Sequence, residues 1–218
     1  MPALELRHAL RRDLPEVVDI WVDAFTRDPF LRWIAPDDAM WAELGPAWLG
    51  FVAAQTFERG HTYLSRGGEV AVAWIPPDVG FASPADLDRA VATIDAIVGT
   101  AKGDDWYTTV LQARDHHLAE SHWTLQYFGV RAHAQGRGIG AHAVAPILSV
   151  CDAEALPCGL ISTNARNVSF YERQGFRVVA EIATPDGRAV LRPMHRERSH
   201  RSVAPRGRSE RVGDEEGS

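Results

Sequence analysis

The chain has 218 residues, 45% of them hydrophobic and 24% charged, enough for one domain with a full core and too apolar for a disordered polymer. A formal net charge of −6 and a pI near 5.8 argue against a nucleic-acid backbone as the main partner. Cys151 and Cys158 are too few for a disulfide frame or a metal site and read as small buried residues of a reducing compartment; with no apolar run near the roughly 20 residues that span a bilayer and no apolar signal core at the start, the expectation is a cytoplasmic protein with no membrane partner.

Leu4 to His8 alternates apolar and polar residues and predicts an edge strand. Asp13 stands where it can cap a helix, with Pro15 in the first turn, Glu16 three positions on, and Val17, Val18, Ile20, Trp21, Ala24 and Phe25 as the buried stripe. Asp28-Pro29 ends that helix, and a linker carries Phe30, Trp33 and Ile34. A second helix is expected from about Asp37 to Arg59, broken or kinked at Pro46. Tyr63 to Ser65 and Glu69 to Ile75 flank Arg66-Gly67-Gly68 and predict a hairpin, ended by Pro76-Pro77. Ser83-Pro84-Ala85-Asp86 opens a helix carrying Leu87, Val91, Ile94 and Ile97. Gly99 to Gly103 breaks it, and a further helix is expected over Asp104 to Glu120.

Trp123 to Val130 is the next strand, with Gly129 marking a bulge or a close backbone approach. A glycine turn leads into an apolar helical run from Ala141 to Val150, kinked at Pro146. Cys158 to Thr163 reads as a strand, Arg166 to Gln174 as a short helix ended by Gly175, and Phe176 to Ile182 with Ala189 to Met194 as a closing antiparallel pair. Beyond Arg196 large apolar residues vanish. The domain is expected to span 1–198, and 199–218 to be a disordered polar tail.

The stretch around which these elements are organised is Trp123 to Gly140, WTLQYFGVRAHAQGRGIG. Gly136, Gly138 and Gly140 let the backbone approach a ligand closely, and amides at a helix start point outward with the positive end of the dipole, which suits a phosphate. A dinucleotide site would instead need Gly-x-Gly-x-x-Gly and an acid about 20 positions on. Here the spacing is Gly136-x-Gly138-x-Gly140, and Gly159-Leu160-Ile161-Ser162-Thr163 carries no acid. A tight turn without a ligand is the plain alternative.

Gln135-x-x-Gly138-x-Gly140 resembles the pyrophosphate loop of the GNAT acetyltransferase superfamily, Gln/Arg-x-x-Gly-x-Gly/Ala. Roughly thirty residues on, Asn167 to Phe176 resembles that superfamily's second motif, Asn-x-x-x-x-Tyr-x-x-x-Gly-Phe, with one residue fewer before the tyrosine. From His122 to Met194 the chain is most similar to the puromycin N-acetyltransferase branch. The likeness lies in the Trp-x-Leu strand, the Gly-Val-x-x-x-x-Gln-Gly loop, the Arg-Asn-x-x-Phe-Tyr-Glu-Arg stretch and the Pro185-Asp186-Gly187 turn.

The resemblance implies an α/β fold of GNAT type: a mixed central sheet of six to seven strands, flanked by helices, whose two parallel central strands splay apart. It implies acetyl-CoA as acetyl donor and no metal. The pantetheine arm would pair with the backbone of Phe128 and Val130 like an added strand, and the pyrophosphate would rest on Gln135, Gly136, Arg137, Gly138, Ile139 and Gly140. Asn167 would touch the cofactor arm, and Tyr171 would protonate the leaving thiolate. For Asn167 the plain alternative is helix capping, and for Tyr171 core packing.

The general base is open. Ile161 stands where the puromycin branch carries a glutamate, and His122, reached through Thr124, Gln126 and water, is the candidate in its place. Phe25, Asp28, Trp33, Trp74 and Gln126 are candidates for binding a cationic, partly apolar amine. The expected activity is transfer of an acetyl group to a small-molecule primary amine, by a monomer or homodimer. The alternatives are a non-catalytic acetyl-CoA sensor on the same fold and a protein or N-terminal acetyltransferase.

Overall fold

The structure, a computed structural model, describes residues 4–198; the expected tail at 199–218 lies outside them. In chain order the elements are β1 Leu6–His8, α1 Leu14–Phe25, α2 Pro29–Ile34, α3 Asp38–Arg59, β2 His61–Ser65, β3 Val70–Ile75, α4 Pro84–Val98 and α5 Thr100–Arg114. They continue with β4 Trp123–Val130, α6 Ile139–Glu154, β5 Cys158–Ser162, α7 Val168–Arg173, β6 Arg177–Val178, β7 Ile182–Ala183 and β8 Val190–Arg196. The strands form one mixed sheet in the order β1-β2-β3-β4-β5-β8-β6, with the short β7 also pairing with β8. All pairings are antiparallel except β4 with β5. This is the GNAT-type architecture expected from the sequence, with one short strand more.

The sheet separates two cores. On one face Ala71 and Ala73 of β3 meet α1 and α3, around Val17, Ile20, Trp21, Leu44 and Leu49. On the other face Val70, Val72 and Trp74 meet α6, around Val144, Ile147 and Leu148. Every residue of β3 is buried, which is why it reads as a continuous apolar run and not as an alternation.

The pairing of β3 with β4 shifts register between Ala73 and Trp74: Ala73 lies opposite Tyr127 and Trp74 opposite Leu125, so Gln126 is the extra residue of a bulge. Side chains change phase across it. Trp123 and Leu125 before the bulge, and Phe128 and Val130 after it, all pack on the α6 side. Tyr127 packs on the α1 side. The bulge is therefore at Gln126 and not at Gly129, whose role is the close approach. A methyl group on Gly129 would come within 2.7 Å of the Trp21 ring and 3.0 Å of Ala24.

Other local departures have physical causes. Asp28 caps α2, accepting from the amides of Phe30 and Leu31 with Pro29 at its first position, so the expected linker is a helix. Asp13 does not cap α1. Its carboxylate accepts from the Leu10 amide and pairs with Arg7, which holds it down at about 2. Gly99 alone, at φ 86°, turns the chain between α4 and α5. Gly103 lies inside α5, where a methyl would collide with the Asp95 carboxylate. The helix ends at Arg114, six residues before the expected Glu120. Both α3 and α6 run on through their prolines, Pro46 and Pro146.

Gly129→Ala should push α1 off β4 and lower stability by about 1–3 kcal/mol, the usual cost of overpacking. Equilibrium urea unfolding measures it; an unchanged midpoint would show that the contact with Trp21 is not tight.

Candidate active site at the splayed strands

The parallel strands β4 and β5 pair only at Trp123 with Cys158, Thr124 with Gly159 and Leu125 with Leu160. From Tyr127 to Val130, β4 pairs with β3 on one edge and with no strand of the described residues on the other, and the bulged Gln126 pairs with neither. The gap opens into a cavity of about 140 Å³ lined by Gln126, Tyr127 and Phe128 of β4, Ile161 to Thr163 at the end of β5, and Asn167 and Tyr171. A second cavity, about 440 Å³, shares Trp48, Trp106, Val110, Leu125, Gln126 and Ile161 with the first, so the two meet at the bulge. Its volume falls in the usual range for small-molecule sites.

At the far end of β4 the chain passes through Arg131 to Gly138 into α6. Arg131 is pinned, bonding the Gly68 carbonyl at 2.9 Å and the Asp19 carboxylate. Gln135 Nε2 donates to the Val130 carbonyl at 2.9 Å, tying the loop to the strand end. Gly136 and Gly138 have φ of 73° and 78°, and a methyl at either would meet open space, so backbone conformation requires them. Gly138 caps α6 with no side-chain acceptor for the first amides, which leaves them available to an anion. Gly140 is different: a methyl there would stand 3.1 Å from the Phe170 ring, which stacks on Phe128. Arg137 is exposed beside the loop.

Asn164, not Asn167, accepts from a backbone amide at the turn before α7. The side chain of Asn167 makes no capping bond and lines the smaller cavity, which removes the capping alternative. Tyr171 is buried at the same cavity, its ring edge-on to Phe170 and Phe176. Burial, and then the charge of Asp28, raises its hydroxyl well above the ordinary tyrosine range. Tyr127 is raised by burial as well, although it accepts a 2.6 Å bond from the Trp48 indole.

Asp28 itself is buried. Its Oδ1 takes the two α2 amides at 3.0 Å, and its Oδ2 accepts from Thr163 at the end of β5. Burial raises its carboxyl, outweighing the three hydrogen bonds, which lower it. Its role here is to tie α2 to β5, and none of its acceptors is shown open to a ligand.

Of the other sequence candidates, Phe25 lines the smaller cavity, Gln126 lines both, and His122 lines the larger with Thr124. The His122 ring stands edge-on to His117 at 6.2 Å. Burial, followed by Arg114, His122 and His195, lowers His117 to about 4. Trp74 is fully buried on the α6 face, away from both cavities, because the alternation of β3 turns it there. Trp33 is held under α5: its indole donates to Asp186 at 2.9 Å and Lys102 sits 3.3 Å above its ring. Trp48, Trp106 and Thr163 line the site without having been singled out in sequence; each arrives through packing of distant segments. Among the described residues no group of three or more His, Cys, Asp or Glu side chains could hold a metal, and no helix is long and apolar enough to cross a membrane.

The strands β4 and β5 thus part beside a glycine loop and a helix N-terminus whose first amides have no side-chain acceptor. Residues 65–176 match the family model of the acetyltransferase (GNAT) family. Among solved structures the chain is similar to a "histone acetyltransferase HPA2 and related acetyltransferase" of Corynebacterium glutamicum, at 23% identity, with 92% of this chain and 99% of that one covered and a TM-score of 0.68. It is also similar in fold to arylalkylamine N-acetyltransferase 2 of Aedes aegypti, at 10% identity, 89% and 98% coverage and a TM-score of 0.59. A ribosomal-protein-alanine N-acetyltransferase of Escherichia coli matches at 15% identity, 89% and 94% coverage and a TM-score of 0.52. The chain belongs to the GNAT acetyltransferase family, and the family implies acetyl-CoA as the donor.

Because Asp28 titrates above its unfolded value, its ionisation opposes folding at neutral pH, and the cost is relieved as pH falls through the folded value. Asp28→Asn keeps the two amide acceptors and removes the charge. It should be at least as stable as wild type at pH 8, with wild type gaining relative to it on acidification. Asp28→Ala, which leaves amides uncapped, should lose about 1–2 kcal/mol. Thermal unfolding from pH 8 to pH 4.5 tests both, and a wild type that loses ground to Asp28→Asn on acidification would contradict the buried-charge account.

Proposed function

We propose that this chain transfers the acetyl group of acetyl-CoA to the primary amine of a small molecule, by direct attack in a ternary complex. The observation that carries the reading is the parting of β4 from β5 beyond Leu125 and Leu160, which leaves one backbone edge open between the glycine loop and a walled cavity. A walled cavity of about 440 Å³ favours a small acceptor over a protein segment. The resemblance of the Trp-x-Leu, Gln-Gly and Phe-Tyr-Glu-Arg stretches to the puromycin N-acetyltransferase branch, drawn from the sequence alone, supports an antibiotic or aminonucleoside-like amine. Ile161, on the wall common to both cavities, lacks the glutamate of that branch and argues for a different acceptor within the class.

In this reading the amides of Gln135 to Gly140 take the pyrophosphate, with Arg137 beside them. The backbone of Phe128 and Val130 pairs with the pantetheine arm, and Asn167 touches it. A backbone N–H near Phe128 polarises the thioester carbonyl. The neutral amine attacks that carbonyl carbon, the C–S bond breaks, and Tyr171 gives its proton to the departing sulfur. The raised Tyr171 hydroxyl is protonated at working pH, as a donor must be. The amine's proton leaves along a chain of water past Gln126 and Thr124 to His122. Phe25 and Gln126 stand where the acceptor meets the acetyl group.

Two substitutions test the donor site and the proton donor. Gly138→Asp places a charge and a strained backbone where the pyrophosphate would sit, and calorimetry should show acetyl-CoA affinity falling at least tenfold, about 1.4 kcal/mol. Unchanged affinity removes the loop from the site. Tyr171→Phe should lower kcat by about 10²–10⁴-fold with little change in the KM for acetyl-CoA, read by thiol release with acetyl-CoA saturating. A kcat within about threefold of wild type would end the proton-donor role. A screen of amines and peptides separates the remaining readings. Preference for peptides indicates a protein or N-terminal acetyltransferase, and acetyl-CoA binding without thiol release with any acceptor indicates a sensor.

A further inference from the structure

Between the end of β4 and the start of α6 the chain is held by groups from outside it. The β3–β4 ladder runs one step past Val70 and Val130, with the Arg131 amide donating to the Glu69 carbonyl at 2.8 Å. There the ladder stops, and a single turn over Ala132–Ala134 carries the chain to Gln135 and the glycines. Such a turn leaves its first amide without a partner inside it. Arg131, at the cap position, offers no side-chain acceptor. The cap comes from α1: Asp23 Oδ2 accepts from the Ala132 amide at 2.9 Å.

Asp19 stands one turn earlier on α1. Its carboxylate takes the Arg131 guanidinium, whose Nε also donates to the Gly68 carbonyl at 2.9 Å. Residues four apart on a helix are neighbours on its surface, so one face of α1 meets two successive residues of the chain. The Ala134 amide closes the turn on the Arg131 carbonyl at 2.9 Å, and the Gln135 side chain returns to the Val130 carbonyl. The loop is thus tied as far as Gln135, while Gly136 and Gly138 face open space. The helix that supplies the cap is itself fixed to the sheet. Trp21 and Ala24 press on Gly129, and the Trp21 indole donates to the Ala71 carbonyl at 3.0 Å. Two residues past Asp23, Phe25 lines the smaller cavity.

We infer that Asp23 is a positioning residue of the glycine loop: by capping the turn at Ala132 from α1, with Asp19 holding Arg131, it keeps the amides of Gln135 to Gly140 in place for the pyrophosphate before the cofactor arrives. The inference rests on the acetyl-CoA reading for what the loop takes and on the hydrogen bonds alone for how the loop is held. Asp23 touches no reacting atom. Asp19 answers a charge, whereas Asp23 answers an amide, which a neutral acceptor would answer as well. A carboxylate beside a phosphate site repels the ligand, so it is the acceptor oxygen and not the charge that serves binding.

The test uses the full chain with acetyl-CoA as the probe. Asp23→Ala removes the cap, and calorimetry should show acetyl-CoA affinity lower by about five- to tenfold, the worth of one hydrogen bond. Asp23→Asn keeps an oxygen for the amide and sheds the charge, and it should bind acetyl-CoA at least as tightly as wild type. Independently of the cofactor, hydrogen exchange at Ala134 and Gln135, the two amides bonded within the turn, should quicken by about tenfold or more in Asp23→Ala and not in Asp23→Asn. A melting temperature that falls in Asp23→Ala while the affinity stays put would mark a cap of structural use only, and overturns the inference. So would Asp23→Asn binding as weakly as Asp23→Ala, or turn amides that exchange as they do in wild type. If wild type does not bind acetyl-CoA at all, the acetyltransfer reading fails instead, and exchange at the turn still decides whether Asp23 holds the loop.

Discussion

Everything at this site depends on a strand edge left open in the middle of a sheet. An unpaired row of backbone donors and acceptors is ordinarily found at a sheet's rim, where water satisfies it. Here the open row runs from Gln126 to Val130, five positions into the interior from the last pair at Leu125 and Leu160. The bulge at Gln126 bends and twists β4 at that point. The opposite wall is not a strand but the turn after Ser162 and the start of α7, held apart from β4 by the rings of Phe128, Phe170 and Tyr171. The gap is stabilised by apolar packing on both sides, so it stands open with nothing bound in it.

Electrostatics tie this gap to the helical layer above it. Asp28, three residues past the end of α1, caps α2 and reaches the end of β5 through Thr163. Its charge acts on both Tyr127 and Tyr171, the two phenols nearest the opening, and pushes each in the same direction as burial does. One carboxylate thus ties α2 to the end of β5 and adds to the burial that keeps both phenols protonated. A surface ion pair such as Arg177 with Glu197 has no comparable reach, because solvent screens it.

The elements carried by local patterns were legible in the chain. The glycine loop follows from positive φ, and α6 from a continuous apolar run after it. Tyr171 follows from a motif whose spacing is a property of one short helix. What escaped depended on distant partners. Asp28-Pro29 was read as the stop of one helix, when the same pair caps and opens the next; only Thr163, 135 residues away, shows why the carboxylate is buried. Trp74 obeys the alternation of β3, but alternation does not say which face receives α6. Trp106 was not singled out, in a helix whose start was placed too late, at Asp104 and not at Thr100. Its meaning comes from the edge contact with Trp48 and from the cavity that α3, α4 and α5 enclose together.

The bulge at Gln126 is a surplus that the pairing with β3 does not need. Removing that residue would restore an unbroken ladder, Leu125 opposite Trp74 and Tyr127 opposite Ala73, with every later side chain on the face it already occupies. Phe128 and Val130 would still pack towards α6 and Tyr127 towards α1. What would go is the local bend and added twist of β4 where it parts from β5. The extra residue shapes the opening and leaves the two cores alone, so a deletion there would be felt at the cavity wall before it was felt in the packing.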